Sequence, residues 1–248
     1  MLSAVIITKN EELNIARTID HLLDWVDEIV VFDSGSIDET LNILRAYRNS
    51  KIKIYEVDWQ GFAMTKNQAI AKTKADWVLS VDADEVITKK LKQEILEVLS
   101  VSSGVVGYKI PRLLYFCGRP VRYGGTYPDY QLRLFKKDLG RFENIPVHES
   151  IKLRGEVSVL KNHMLHFSYN TIFEYWTRFN KYTELDAEKK LRQGKRFNFC
   201  KVFVFHWELF RRLIVKKGLL DGIPGIFYHI FSSLSSLVKY AKLWEISR

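Results

Sequence analysis

Cysteine is nearly absent: only Cys117 and Cys200 carry a thiol among 248 residues. Two cysteines make neither a disulfide framework nor a zinc cage, so a reducing compartment is expected. Proline (5) and glycine (13) are scarce, which excludes collagen-like repetition and a low-complexity chain. Long hydrophobic runs are missing too. The longest uncharged stretch, Gly222–Val238, has 17 residues and includes four serines, a histidine and two glycines. That is too polar and slightly short for a membrane span of roughly 20 residues. The opening MLSAVIITKNEE sets Glu11 and Glu12 directly after a short apolar run, unlike a secretory signal, so a cytosolic location is expected. There is no internal repeat.

Hydrophobic residues are plentiful, at 47%, with 6 Trp, 12 Tyr and 15 Phe. Disorder is excluded and a sizeable core is within reach of a chain this long. Charge is spread unevenly. Residues 1–160 hold 22 Lys+Arg against 22 Asp+Glu, whereas residues 161–248 hold 16 against 7, so the whole +9 belongs to the last third. The same third holds 18 of the aromatics. A neutral body, 1–165, followed by a basic aromatic extension, 166–248, separates a part for chemistry from a part that docks on something anionic.

The first hundred residues alternate between two periods. Leu2–Thr8, Val26–Phe32, Lys51–Val57 and Asp76–Val81 read as strands. Between and after them, Leu13–Leu23 (opened by Asn10 as N-cap), Ser36–Tyr47, Phe62–Lys74 and Thr88–Leu99 read as helices. Repeats of this length are βαβ units and predict an α/β fold with a mostly parallel sheet. From about residue 104 shorter extended pieces follow (105–110, 114–117, 131–135 and 157–160), and after Asn170 the chain turns helical.

In parallel sheets ligands bind at the carboxyl ends of strands. The residues there are Thr8-Lys9-Asn10-Glu11, Asp33-Ser34-Gly35-Ser36 and Asp82-Ala83-Asp84-Glu85, with Lys66-Asn67 on the third helix. Asp82 and Asp84, one residue apart at a strand end, can converge on one hard cation; an acidic turn is the plainer alternative. Asp33 can accept from a nucleobase imide or ribose hydroxyls, or simply cap a helix. Glu11 suits a helix start without any ligand.

Together, TKNEE, VVFDSGSIDET, GFAMTKNQAI and WVLSVDADE resemble the family 2 glycosyltransferases with their GT-A fold, in order and spacing over residues 2–100. YPDYQLRLF (Tyr127–Phe135), Val147-His148-Glu149 and GLLDGIPG (Gly218–Gly225) resemble more narrowly the bacterial glucosyltransferases of the lipopolysaccharide inner core. The family's second strand ends Asp-Asp-Gly-Ser; here Phe32 replaces the first Asp. The resemblance implies inverting, metal-dependent transfer of a hexose, glucose in that subgroup, from a UDP-sugar to a hydroxyl of a lipid-linked glycan. It makes 1–165 the catalytic domain, with 1–100 its nucleotide-binding half and 101–165 its acceptor half. By position it implies that Asp33 contacts uracil, that Thr8 and Glu11 lie near the nucleoside, and that Lys66 lies near the base or diphosphate. Asp82 would face the ribose and a Mn²⁺ or Mg²⁺ ion, with Asp84 and His148 as further metal ligands.

Displacement at an anomeric carbon needs a base for the acceptor proton. Asp129 is the first choice by its motif position, with Glu149 and Glu85 as alternatives. Arg133, alternating with Leu132 and Leu134, either pairs with a carboxylate or phosphate or lies on a solvated face. His21, His163, His166, His206 and His229 carry no motif and read as structural.

The extension fits amphipathic helices in the headgroup layer of an anionic membrane, on the cytoplasmic face of the inner membrane, or in part a helical subdomain. A nucleic-acid partner is not expected, since neither an aromatic sheet face nor a basic recognition helix appears. A sugar nucleotidyltransferase would show a Gly-rich basic loop after the first strand, where TKNEE is acidic. A non-catalytic nucleotide-binding scaffold is the remaining alternative.

Overall fold

The computed structural model describes residues 1–101, 103–143, 150–199 and 202–248. The chain divides into one unit of Met1–Arg112 with Asp129–His166 and another of Leu113–Pro128 with Phe167–Arg248.

In the first unit the apolar runs become β1 (Leu2–Thr8), β2 (Glu28–Asp33), β3 (Ile52–Glu56) and β4 (Trp77–Asp82), parallel in the order β3-β2-β1-β4. Every position of β1 is buried, because its side chains alternate between two helical layers. Ala4 and Ile6 pack with Ile15 and Ile19 of α1 (Ile15–Asp20), Leu44 of α2 (Thr40–Ala46) and Leu91 and Ile95 of α4 (Lys89–Ser100). Val5 and Ile7 pack instead with Ala63, Ala69 and Ile70 of α3 (Phe62–Ala71).

Asn10 does not cap α1. Its backbone is left-handed (φ 55°), its Oδ1 accepts from the Ile37 amide at 2.9 Å, and the cap position belongs to Asn14. A left-handed backbone suits Asn, and here it ties the loop after β1 to the loop after β2.

Beyond β4 come β5 (Glu85–Ile87), β6 (Val105–Phe116) and β7 (Arg119–Val121), then β8 (Asp129–Lys136), β9 (Gly140–Glu143) and β10 (Ser150–Leu153), and finally β11 (Glu156–Val159) and β12 (Met164–Tyr169). The two short extended pieces expected at 105–117 are one strand, β6, with Pro111 inside it. The sheet continues β4-β8-β6-β12-β5 and becomes mixed, since β8 is antiparallel to both β4 and β6 and β12 to β5. β9 and β10 form a separate antiparallel pair.

The second unit is built on α5 (Ile172–Arg192), α6 (Val202–Phe210) and α7 (Gly222–Ile246). Thr171 caps α5 by accepting from Glu174 N at 3.1 Å, and the Glu174 carboxylate accepts from Asn170 N at 2.9 Å. The two bonds satisfy the amides of Glu174, in the first turn, and of Asn170, just before the cap. Tyr175 and Phe179 of α5 close on Phe116 and Val121, with Phe231, Leu234 and Val238 of α7 against them. Part of the basic extension is therefore an ordinary helical core. Between α6 and α7 lie a π-helical turn, Arg211–Val215, and a 3₁₀ turn, Gly218–Asp221. Among the described residues no helix is long and apolar enough to cross a membrane.

Candidate active site

Strand register gathers the polar ends. Thr8 lies opposite Asp33, and Ile7 opposite Asp82, so the last residues of β1, β2 and β4 share one edge of the sheet. Asp33 is fully buried and turned onto its own loop. Its Oδ1 accepts from Gly35 N (3.0 Å) and Ser36 N (2.9 Å), and its Oδ2 accepts from the Ser36 hydroxyl. Beside it the Thr8 and Ser34 hydroxyls are buried without a hydrogen-bond partner among the described residues. Buried hydroxyls are normally satisfied, so two orphans at adjacent strand ends leave donors and acceptors for a polar ligand. Glu11 accepts from the Asn14 side chain at 2.8 Å, and its amide donates to Thr40 Oγ1 at 2.8 Å.

A dense ionic network surrounds the Asp82-Ala83-Asp84 turn between β4 and β5. Lys66, buried on α3, donates to Asp82 Oδ1 at 3.0 Å, and Arg133 of β8 pairs with Asp82 Oδ2. Arg133 also reaches Glu85 Oε1 at 2.5 Å, and the other Glu85 oxygen accepts from Asp82 N at 2.9 Å. Burial opposes ionisation of Asp82, but the charges of Arg133 and Lys66 prevail and hold it well below the usual carboxylate range. Arg133 is thus no solvated strand residue. The Thr18 hydroxyl of α1 spans the turn from behind, bonding Ala83 O at 2.7 Å and Glu85 O at 2.9 Å. Burial lowers the guanidinium of the neighbouring Arg17 against the attraction of Asp84.

Asp129 opens β8 directly across from Arg112 on β6. Arg112 Nε and Nη2 fork onto Asp129 Oδ2 at 2.9 and 2.6 Å, and Gln131 donates to Oδ1 at 2.7 Å. Arg112 also reaches Glu85 at 3.2 Å. Burial disfavours its charge, but Glu85 and then Asp129 overcome this and raise its pKa. Glu85, with no exposed surface, is a hub for two arginines, whereas the Asp129 side chain is 40% exposed.

His148 and Glu149 lie outside the described residues. A histidine that sequence reasoning set aside stands beside the acidic turn instead: His166 Nε2 is 3.3 Å from Asp84 Oδ2, brought there by the pairing of His166 with Glu85 across β12 and β5. A carboxylate and an imidazole side by side are donors that suit Mn²⁺ and, less well, Mg²⁺. Among the described residues no group of three or more such side chains forms a metal cage. The Asp84–His166 pair fits an ion whose remaining positions go to phosphate oxygens and water.

An α/β sheet whose strand ends carry this acidic turn fits a glycosyltransferase. The family model described as glycosyl transferase family 2 matches residues 3–151, and the chain belongs to that family. Lipopolysaccharide core biosynthesis glycosyltransferase LpsC of Rhizobium meliloti (strain 1021) is 31% identical over 253 residues, covering 98% of this chain and 92% of its own. Among solved structures, the mannosyltransferase PcManGT of Pyrobaculum calidifontis, in complex with GDP-Man and Mn²⁺, aligns with TM-score 0.58 at 13% identity over 100% of this chain and 88% of its own. TarS 1–349 of S. aureus, in complex with UDP-GlcNAc, aligns with TM-score 0.50 at 18% identity over 98% and 88%. These likenesses support the GT-A fold.

Proposed function

We propose that the protein is an inverting, metal-dependent hexosyltransferase that moves glucose from UDP-glucose to a hydroxyl of a lipid-linked glycan, of the kind found in the lipopolysaccharide inner core, at an anionic membrane surface. The name of the Rhizobium relative supports the acceptor class. The observation that carries the reading is the Asp82–Asp84 turn, with cations on Asp82, an imidazole on Asp84 and, at the neighbouring strand ends, hydroxyls of Thr8 and Ser34 that have no partner among the described residues.

Thr8, Glu11 and Asp33 take the nucleoside side, with Asp33 fixing the loop that meets the uracil. Lys66 lies toward the diphosphate and Asp82 toward the ribose. Asp84 and His166, joined by Asp82, would hold Mn²⁺ or Mg²⁺; His148 is the further ligand expected from its motif. An ion held there would supply electrostatic stabilisation of the charge that grows on the leaving diphosphate. Asp129 takes the proton from the acceptor hydroxyl as the new oxygen–carbon bond forms and the bond from the anomeric carbon to UDP breaks on the opposite face. Glu85 anchors Arg112 and Arg133 and thereby aims Asp129 and Asp82; Glu149 is the alternative base.

Incubation with UDP-[¹⁴C]glucose, Mn²⁺ and a heptose-containing lipid acceptor tests the proposal. Labelled acceptor is expected, and Asp84→Ala should abolish metal-dependent UDP binding with the fold intact. Absence of transfer and of UDP release with any UDP- or GDP-sugar would make the protein a scaffold. Unchanged Mn²⁺ affinity in Asp84→Ala would remove it from the metal shell.

A further inference from the structure

Residues 195–227 carry seven Lys or Arg and two acids. Both acids are already paired within the second unit. Glu208 accepts from Arg211 at 2.6 Å, and Asp221, almost wholly buried, meets His229 at 2.9 Å. What this stretch offers to solvent is therefore cationic, with Lys195, Arg196, Lys216 and Lys217 exposed.

Its apolar side chains are just as exposed. Phe203, Trp207, Phe210 and Ile214 recur at spacings of four, three and four, which is one stripe of a helix, and they are 62%, 60%, 50% and 52% exposed. Leu220 and Ile223 follow at 65% and 71%. The core of this unit is closed by Tyr175, Phe179, Phe231, Leu234 and Val238 from α5 and α7. Among the described residues, this stripe on α6 and the π-helical turn takes no part in that core. An exposed apolar stripe flanked by further exposed apolar side chains marks an interaction surface.

We propose that Phe203, Trp207, Phe210, Ile214, Leu220 and Ile223 insert into the headgroup layer of an anionic bilayer, with Lys216 and Lys217 against the lipid phosphates. The inference names the lipid-contacting surface of the function proposed above and rests on that reading. Charge complementarity selects this occupant. A second copy seated on the same face would set these cations against themselves, whereas anionic headgroups neutralise them. Large aromatics on one stripe, followed in the chain by two exposed lysines, are the pattern of a helix lying in the membrane plane. At nine residues, α6 is far too short to span.

The test is cosedimentation of the full chain with vesicles of phosphatidylcholine alone and of phosphatidylcholine mixed with phosphatidylglycerol. Circular dichroism and thermal melting check that the variants fold. Wild type should bind the mixed vesicles more tightly and lose part of that binding in salt. Trp207→Ser with Ile223→Ser should lower partitioning at least about tenfold on both vesicle types. Lys216→Glu with Lys217→Glu should lower it about tenfold on the mixed vesicles alone. Wild type that ignores mixed vesicles at low salt, or variants that bind as wild type does, would overturn the proposal. So would a concentration-dependent dimer that the serine pair abolishes in a protein without vesicle binding. UDP release in detergent is read in parallel. Turnover without vesicle binding removes this surface and leaves the enzyme, whereas vesicle binding without turnover under any donor removes the enzyme and leaves the surface.

Discussion

A general base must keep an oxygen within reach of its proton while something fixes its direction. Asp129 meets both needs: Arg112 forks onto Oδ2, Gln131 steadies Oδ1, and much of the side chain stays open. Asp129→Asn keeps one acceptor oxygen for Arg112 while removing the charge and the capacity to take a proton. Transfer should fall by roughly 10²–10⁴, with the KM for the sugar donor within about twofold. Steady-state kinetics check this; turnover near wild type would pass the role to Glu149. Asp82 and Asp84 were legible as a pair because they are neighbours in sequence on an apolar strand. His166 and Arg112 were not, because antiparallel register alone delivers them to Asp84 and Asp129. The alternation around Arg133 assigned it a face of β8 but could not tell that two carboxylates cover that face.

At the scale of elements, the parallel half of the sheet was readable from period alone, and observed strand ends fall within two residues of those expected. The Asn10 cap failed because a side chain can bridge two loops as readily as it caps a helix. The acidic turn depends on α1 more than on its own sequence, since Thr18 bonds both Ala83 O and Glu85 O. Thr18→Val preserves shape and leaves both carbonyls without that donor. We expect a loss of about 1–3 kcal/mol in chemical denaturation and a several-fold rise in the concentration of Mn²⁺ needed for UDP binding. A variant equal to wild type in both would show that the turn holds its own geometry.

At the scale of the molecule, each unit carries a buried ionisable group whose stabilising contribution is lost in acid, and the two are lost at different pH. His229 has no exposed surface, and its Nδ1 is buried without a partner among the described residues. Burial lowers its pKa against the pull of Asp221, and Arg212 adds to the lowering. The native state therefore favours the neutral ring, and the unfolded state binds the extra proton first. Stability from this site is whole above the ordinary histidine value of about 6.5 and drains away as pH falls through the lower native value. Asp82, held below its ordinary range by Arg133 and Lys66, contributes stability that is intact above about pH 4 and lost only as pH falls further. Acid titration should therefore loosen the second unit first. Amide protection factors in residues 222–246 should fall as pH drops below about 6.5, while residues 77–87 keep theirs until below about pH 4. A single transition near pH 4 in both segments would mean that the His229–Asp221 pair titrates without consequence. Loss of protection in residues 77–87 above pH 5 would mean that the Asp82 network does not hold its charge as its geometry implies.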